Sequence, residues 1–211
     1  MPNWVSNSVR VTGSKDELQR FAEQASKKYT RKYQEVKPDG IDWVDGELSQ
    51  PLSFWNFVRP DESILDEYWG DMRQDLSLEE QLQYKTNHWY DWNIRNWGCK
   101  WDAGDVSFED EGSQLSYHFE TPWGFPLEAI EAMVAQYPTL EFTVRFLEEQ
   151  GWGGEAMGRN GNLDIVKQWD IPYTHEDSME NMGSCRCEAL GDDEVEWMFD
   201  DCPRKLELAH A

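Results

Sequence analysis

Basic residues are scarce in this chain. Of its 211 residues, 19 are Lys or Arg and 42 are Asp or Glu, giving a formal charge of −23. A field of that sign repels phosphates and anionic lipid, which disfavours direct nucleic-acid binding and attachment to a membrane surface. Long apolar runs are also missing. None approaches the ~20 residues needed to cross a bilayer, and no apolar segment follows Met1 as it would in a secretory leader. Cysteines are few: Cys99, Cys185, Cys187 and Cys202. That number suits reduced thiols in a cytoplasmic protein rather than a disulfide framework. Metal-ligand spacing is absent as well. Cys185 and Cys187 form a lone C-x-C, and Cys202, His175 and His210 are scattered around it. Zinc sites use paired C-x-x-C or H-x-x-x-H spacings, so no metal is expected.

What the chain has in quantity is aromatic side chains: twelve Trp, eight Tyr and nine Phe. Each buries a large area, so a sizeable core remains available despite the modest aliphatic content. The charge is unevenly placed. Met1 to Lys37 holds eight basic and four acidic residues, +4, which leaves −27 on the remainder.

Val5, Asn7, Val9 and Val11 alternate with polar residues, which predicts a half-buried strand. Ser14 to Glu17 reads as a capping box, and Leu18, Phe21, Ala22 and Ala25 form one helical stripe as far as about Lys28. The polar stretch around Pro38, Gly40 and Gly46 reads as a loop. Leu52 to Val58 alternates with both faces apolar and reads as a strand buried on both sides, closed by Pro60. Leu115, Tyr117 and Phe119 predict another strand. Leu127, Ile130, Met133, Val134 and Tyr137 predict a second helix, stopped by Pro138. Leu140, Phe142, Val144 and Phe146 give the clearest strand. "GWGGEAMGRNGN" reads as a hairpin connection into a last strand, Leu163 to Trp169, because no helix follows it to make a phosphate loop.

The order β-α-β, insertion, β-α-β predicts an α+β fold. It is a ferredoxin-like, split β-α-β antiparallel sheet with both helices on one face. This domain spans 1–169 with a Trp-rich helical insertion at about 61–105, and 170–211 forms an acidic C-terminal extension. "MPNWVSN…VTG", "WYDWNIRNWGCKWDA" and "FETPWGFP" together resemble the YubB-type ferredoxin-like domain family of phage and plasmid proteins, over about residues 1 to 160. Val5 stands where that family often has Cys. The resemblance implies the fold and a mobile-element origin. It carries no catalytic residue over to this chain.

Four tryptophans fall between Trp89 and Trp101. On a helical wheel Tyr90, Ile94, Trp97 and Trp101 lie within about 60° of one another, a core-facing stripe. Gly98 is placed to end the helix, which would take Trp101 off that stripe. Trp89 and Trp92 lie on another flank and are candidates for a partner. The outward sheet positions, Ser8, Arg10, His118, Glu120, Glu141, Thr143 and Arg145, include no aromatic, which disfavours an RNA-reading sheet. His118 has no nucleophile pointing to it, which disfavours a triad; a hydrolase using His118 with nearby carboxylates is kept as one alternative. A nucleic-acid module built on Lys15, Arg20, Lys27, Lys28, Arg31 and Lys32 is another. The preferred expectation is a non-enzymatic accessory protein without a cofactor. It would bind a host protein that has a basic, nucleic-acid-binding surface, with carboxylates replacing phosphates. Asp192, Asp193, Glu194, Glu196, Asp200 and Asp201, the densest acidic cluster, join Trp89 and Trp92 as expected contacts.

Overall fold

A computed structural model of the protein describes residues 3–38, 40–70, 75–184, 199, 202 and 203. Strand β1 (Trp4–Thr12) buries Val5, Asn7, Val9 and Val11 and exposes Ser6 and Arg10. Gly13 turns the chain into helix α1 (Lys15–Ala25). The Ser14 side chain caps this helix by accepting from the Glu17 N–H, and Leu18, Phe21 and Ala25 form its buried stripe. An insertion follows, holding strands β2 (Tyr29–Lys37) and β3 (Gly40–Leu48) and helices α2 (Leu65–Tyr68), α3 (Leu78–Asn87) and α4 (Trp89–Trp97). Then come β4 (Gly104–Asp110), β5 (Gln114–Pro122), α5 (Leu127–Gln136), β6 (Glu141–Glu148), β7 (Gly153–Arg159), β8 (Asn162–Trp169) and α6 (His175–Met182).

Among the described residues, six strands form one sheet in the order β4-β5-β1-β6-β7-β8, each pair antiparallel. The four strands β4-β5-β1-β6, with α1 and α5, make the ferredoxin-like split β-α-β arrangement. Both helices cover the same face. The Tyr137 hydroxyl, just past α5, donates to Gln24 Oε1 on α1 at 2.7 Å. Phe21 packs edge-on against Tyr137 and against Phe142 of β6, with centroids 5.1 and 5.6 Å apart. Phe142 and Val144 point into this core and Thr143 points out. The Gly-rich stretch supplies β7 and the turn after it. Asn160 and Gly161 at φ 52° and 78° are a two-residue primed turn, whose twist matches the flanking strands.

Two expectations need correction. Leu52 to Val58 is not a strand. Phe54–Asn56 is a 3₁₀ turn, with Leu52, Ser53, Phe54 and Trp55 buried. Its backbone groups are engaged outside any sheet: the Ser53 N–H donates to Ala25 O at the end of α1, and the Phe57 and Val58 N–H groups return to Phe54 O. The residues are apolar on all sides because the insertion packs around them. The sheet position expected of 52–58 is filled by β4. Likewise 29–48 is a two-stranded antiparallel ribbon, with Pro38 and Gly40 marking only its turn.

Candidate functional site

One carboxylate gathers parts of the insertion at the entry to β4. Asp102 lies between α4 and β4. Its Oδ2 accepts from the Tyr29 hydroxyl at 3.0 Å and the Ser53 hydroxyl at 2.5 Å. Its Oδ1 accepts from the Phe54 and Ala103 N–H groups at 2.6 and 2.8 Å. Three separate segments, the start of β2, the 3₁₀ turn and the entry to β4, thus converge on one side chain. The residue borders a cavity, and each of its carboxyl oxygens accepts two of these four hydrogen bonds. Burial raises the Asp102 pKa above the usual carboxylate range, although every one of the four hydrogen bonds favours the ionised form. Burial likewise pushes the Tyr29 and Tyr68 phenols far up, and the nearby Asp102 charge adds to both. A carboxylate whose acceptor capacity is spent on four internal donors holds the fold together and has little left for a substrate proton.

Helix α4 starts after His88 and ends at Gly98, whose φ of 84° satisfies the left-handed cap position. A Cβ there would stand 2.9 Å from the Leu127 nitrogen, so the cap also lets α4 pack directly on the start of α5. The buried residues of α4 are Trp92, Asn93 and Trp97. Trp92 and Trp97 meet edge to face, centroids 5.8 Å apart, and the Trp97 indole N–H donates to Val58 O at 2.9 Å. Trp92, expected as a partner contact, is instead a core ring, 5% exposed. Ile94 and Trp101, expected inward, are 41% and 40% exposed. The helix is rotated because Asn93 faces in. It accepts from the Tyr68 hydroxyl at 2.7 Å and donates to Lys100 O at 2.9 Å. Trp101 lies beyond the Gly98 cap, off the wheel altogether.

With Trp92 and Trp97 inside, the outer rings gather round a lysine. Lys100 Nζ stands 4.6 Å from the ring centroid of Trp101, 4.7 Å from Trp123, 5.5 Å from Tyr90 and 5.8 Å from Trp89. Trp4 contacts Trp101 with centroids 6.0 Å apart. Trp123 is half exposed and sits at φ 66°, held by its N–H donating to Asn3 O at 2.8 Å. Left-handed backbone is costly for an aromatic residue, about 1–3 kcal/mol, and is tolerated here in a ring that faces both solvent and Lys100. Trp89 and Trp101 also line the cavity beside Asp102, about 430 Å³, which Tyr29, Trp55, Trp69 and Arg31 share. Tyr29 and Trp55 stack within it, 5.2 Å apart and 11° from parallel.

Of the expected contacts, Trp89 belongs to this cluster. Asp192, Asp193, Glu194, Glu196, Asp200 and Asp201 lie outside the described residues, as do Cys185, Cys187 and His210. Cys99 is buried, its thiol donating to Trp101 O at 3.2 Å, and burial pushes its pKa well up. No group of three metal-ligating side chains occurs among the described residues. His118 is exposed, on the face of the sheet opposite α1 and α5. Sequence reading missed Asp102, Lys100 and Trp123. Asp102 is one acid among many, and Lys100 declares itself only once four rings from three segments surround it.

The architecture defines a ferredoxin-like α+β protein with an aromatic insertion. Residues 96–186 match the family model for the ferredoxin-like domain in Api92-like protein. This match supports the ferredoxin-like part of the resemblance, under the Api92-like rather than the YubB-type description. The crystal structure of protein api92 from Yersinia pseudotuberculosis superposes with a TM-score of 0.48 at 8% identity, covering 82% of this chain and 99% of that one. No curated protein matches the chain.

Proposed function

We propose that this is a binding protein that acts by occupying a partner with a basic surface, and that the aromatic cluster around Lys100 receives a cationic side chain of that partner. Lys100 itself carries the reading. An alkylammonium group is already seated against four rings at 4.6 to 5.8 Å. Significant cation–π contacts occur about once per 70–80 residues, so four on one ammonium mark a surface shaped for cations. A partner's Lys or Arg would take the place that Lys100 holds. The charge of −23 supports such a partner by drawing basic surfaces and speeding encounter. The saturated Asp102 favours binding over proton transfer in the adjoining cavity.

In its most specific form, the acids of the C-terminal extension, Asp192 to Asp201 among them, stand in for phosphates at a groove built for nucleic acid. The mobile-element origin implied by the YubB-type resemblance would place that groove on a host defence or DNA-handling protein. The experiment is competition with labelled DNA for a DNA-binding protein captured by this chain. Mutual exclusion that weakens steeply with salt is expected. A complex holding protein and DNA together excludes occupancy of the groove.

A further inference from the structure

The face of the sheet opposite α1 and α5 carries an ordered block of donors. Ser8 on β1 lies directly across from His118 on β5 and from Arg145 on β6. Arg10, two residues on, lies across from Ser116 and Thr143. All six alternate with buried neighbours and so point outward. Directly opposed side chains on one face are about 4.5–5.5 Å apart at Cβ, so the six form a contiguous patch two rows deep. They line a concavity of about 350 Å³, closed on the β7–β8 side by Glu155 and Val166.

Two guanidinium groups, an imidazole and three hydroxyls can all donate hydrogen bonds. Ser116 Oγ accepts from Gln114 Nε2 at 3.2 Å, which leaves its own proton to donate. Arg145 gives one N–H to Asn181 O at 2.6 Å and lies across from Glu155. Arg10 differs: both of its directly opposed neighbours are hydroxyl residues, and no carboxylate faces it across either strand. A guanidinium framed by hydroxyls is the arrangement that binds a tetrahedral oxyanion. Acids stand at the margins: Glu109 across from Ser116, Glu155 across from Arg145, and Glu120 and Glu141 one row out. With the overall charge of −23, that border opposes an extended polyanion and leaves room for one compact anion.

We propose that this patch binds a phosphomonoester, with Arg10 as its principal ligand and Ser8, Ser116, Thr143 and His118 completing the shell. It shares no residue with the Lys100 cluster, so either reading can fail without the other. The test is proton NMR of the four histidines. Inorganic phosphate and phosphoserine are each titrated at constant ionic strength, with sodium chloride as the control. The His118 ring signals are expected to shift saturably, with a midpoint on the order of millimolar, while the other histidines stay still. Arg10→Gln should weaken the midpoint at least about tenfold, the loss of one charge-assisted contact. Thr143→Val should weaken it less, and it provides a second variant if Arg10→Gln disturbs the sheet. A His118 response no larger than that of the other histidines overturns the proposal. So does an equal response to chloride, or an unchanged midpoint in both variants.

Discussion

Replacing Asp102 in two ways separates its hydrogen bonds from its charge. In Asp102→Ala the Phe54 and Ala103 N–H groups lose their acceptor at 2.6 and 2.8 Å and stay buried. Each unsatisfied donor costs about 1–3 kcal/mol, so the variant should lose about 2–6 kcal/mol. The Tyr29 and Ser53 hydroxyls can turn elsewhere and add little. In Asp102→Asn the amide oxygen still accepts from both N–H groups, and the amide nitrogen can donate to the two hydroxyl oxygens. The buried charge is gone, so the net change at neutral pH should be within about 1 kcal/mol. The pH dependence gives a second readout. The folded pKa of Asp102 lies above its unfolded value. Its contribution is therefore fully present below the unfolded pKa, about 4, and is lost as pH rises through the folded pKa. Wild type should gain stability over Asp102→Asn as pH falls from neutral toward that range. Urea unfolding of the three proteins at several pH values measures both effects. If Asp102→Asn is as damaging as Asp102→Ala, or if the pH profiles run parallel, the reasoning is refuted.

Trp97→Ala removes a ring that is 3% exposed and an indole hydrogen bond to Val58 O, and should cost about 3–5 kcal/mol. An unchanged melting temperature would return Trp97 to the surface. The Cys99 thiol, raised by burial, should react with an aromatic disulfide reagent only after denaturant is added, and fast labelling at Cys99 itself in the native protein, located by peptide mass mapping, would contradict its placement. Gly161→Ala forces a Cβ into φ 78° and should cost about 1 kcal/mol by urea titration, whereas Gly112→Ala, at φ 81° in open space, should cost a similar amount without affecting the β7–β8 hairpin.

Strict alternation in β1, β5 and β6 and the single stripes of α1 and α5 made the central fold legible, because each packs one face only. β4 left only a short trace. Val106 and Phe108 alternate with Asp105, Ser107 and Glu109, and Phe108 lies against Tyr117 with ring centroids 4.8 Å apart, but two apolar positions on an exposed edge strand are too few to mark it. Leu52 to Val58 misled for the opposite reason: burial on all sides erases the period that distinguishes strand from turn. The wheel of α4 failed at Asn93. A polar residue turned inward to meet Tyr68 and the Lys100 carbonyl rotates the helix, and no apolar pattern records that pairing. The site was partly visible in the density of tryptophan. Its organising members were not, since Asp102 and Lys100 matter only through partners far away in sequence.

The central claim is that the rings around Lys100 form a cation site for a partner. Its most direct test is tryptophan fluorescence during titration with lysine amide and trimethyllysine amide, using wild type, Lys100→Ala and a Trp101→Ala/Trp123→Ala double variant. Emptying the site should make Lys100→Ala bind about 2–5-fold tighter than wild type, the equivalent of one exposed cation–π contact. The double variant should lose the response. No saturable response in Lys100→Ala, where no internal ammonium competes, would contradict the account.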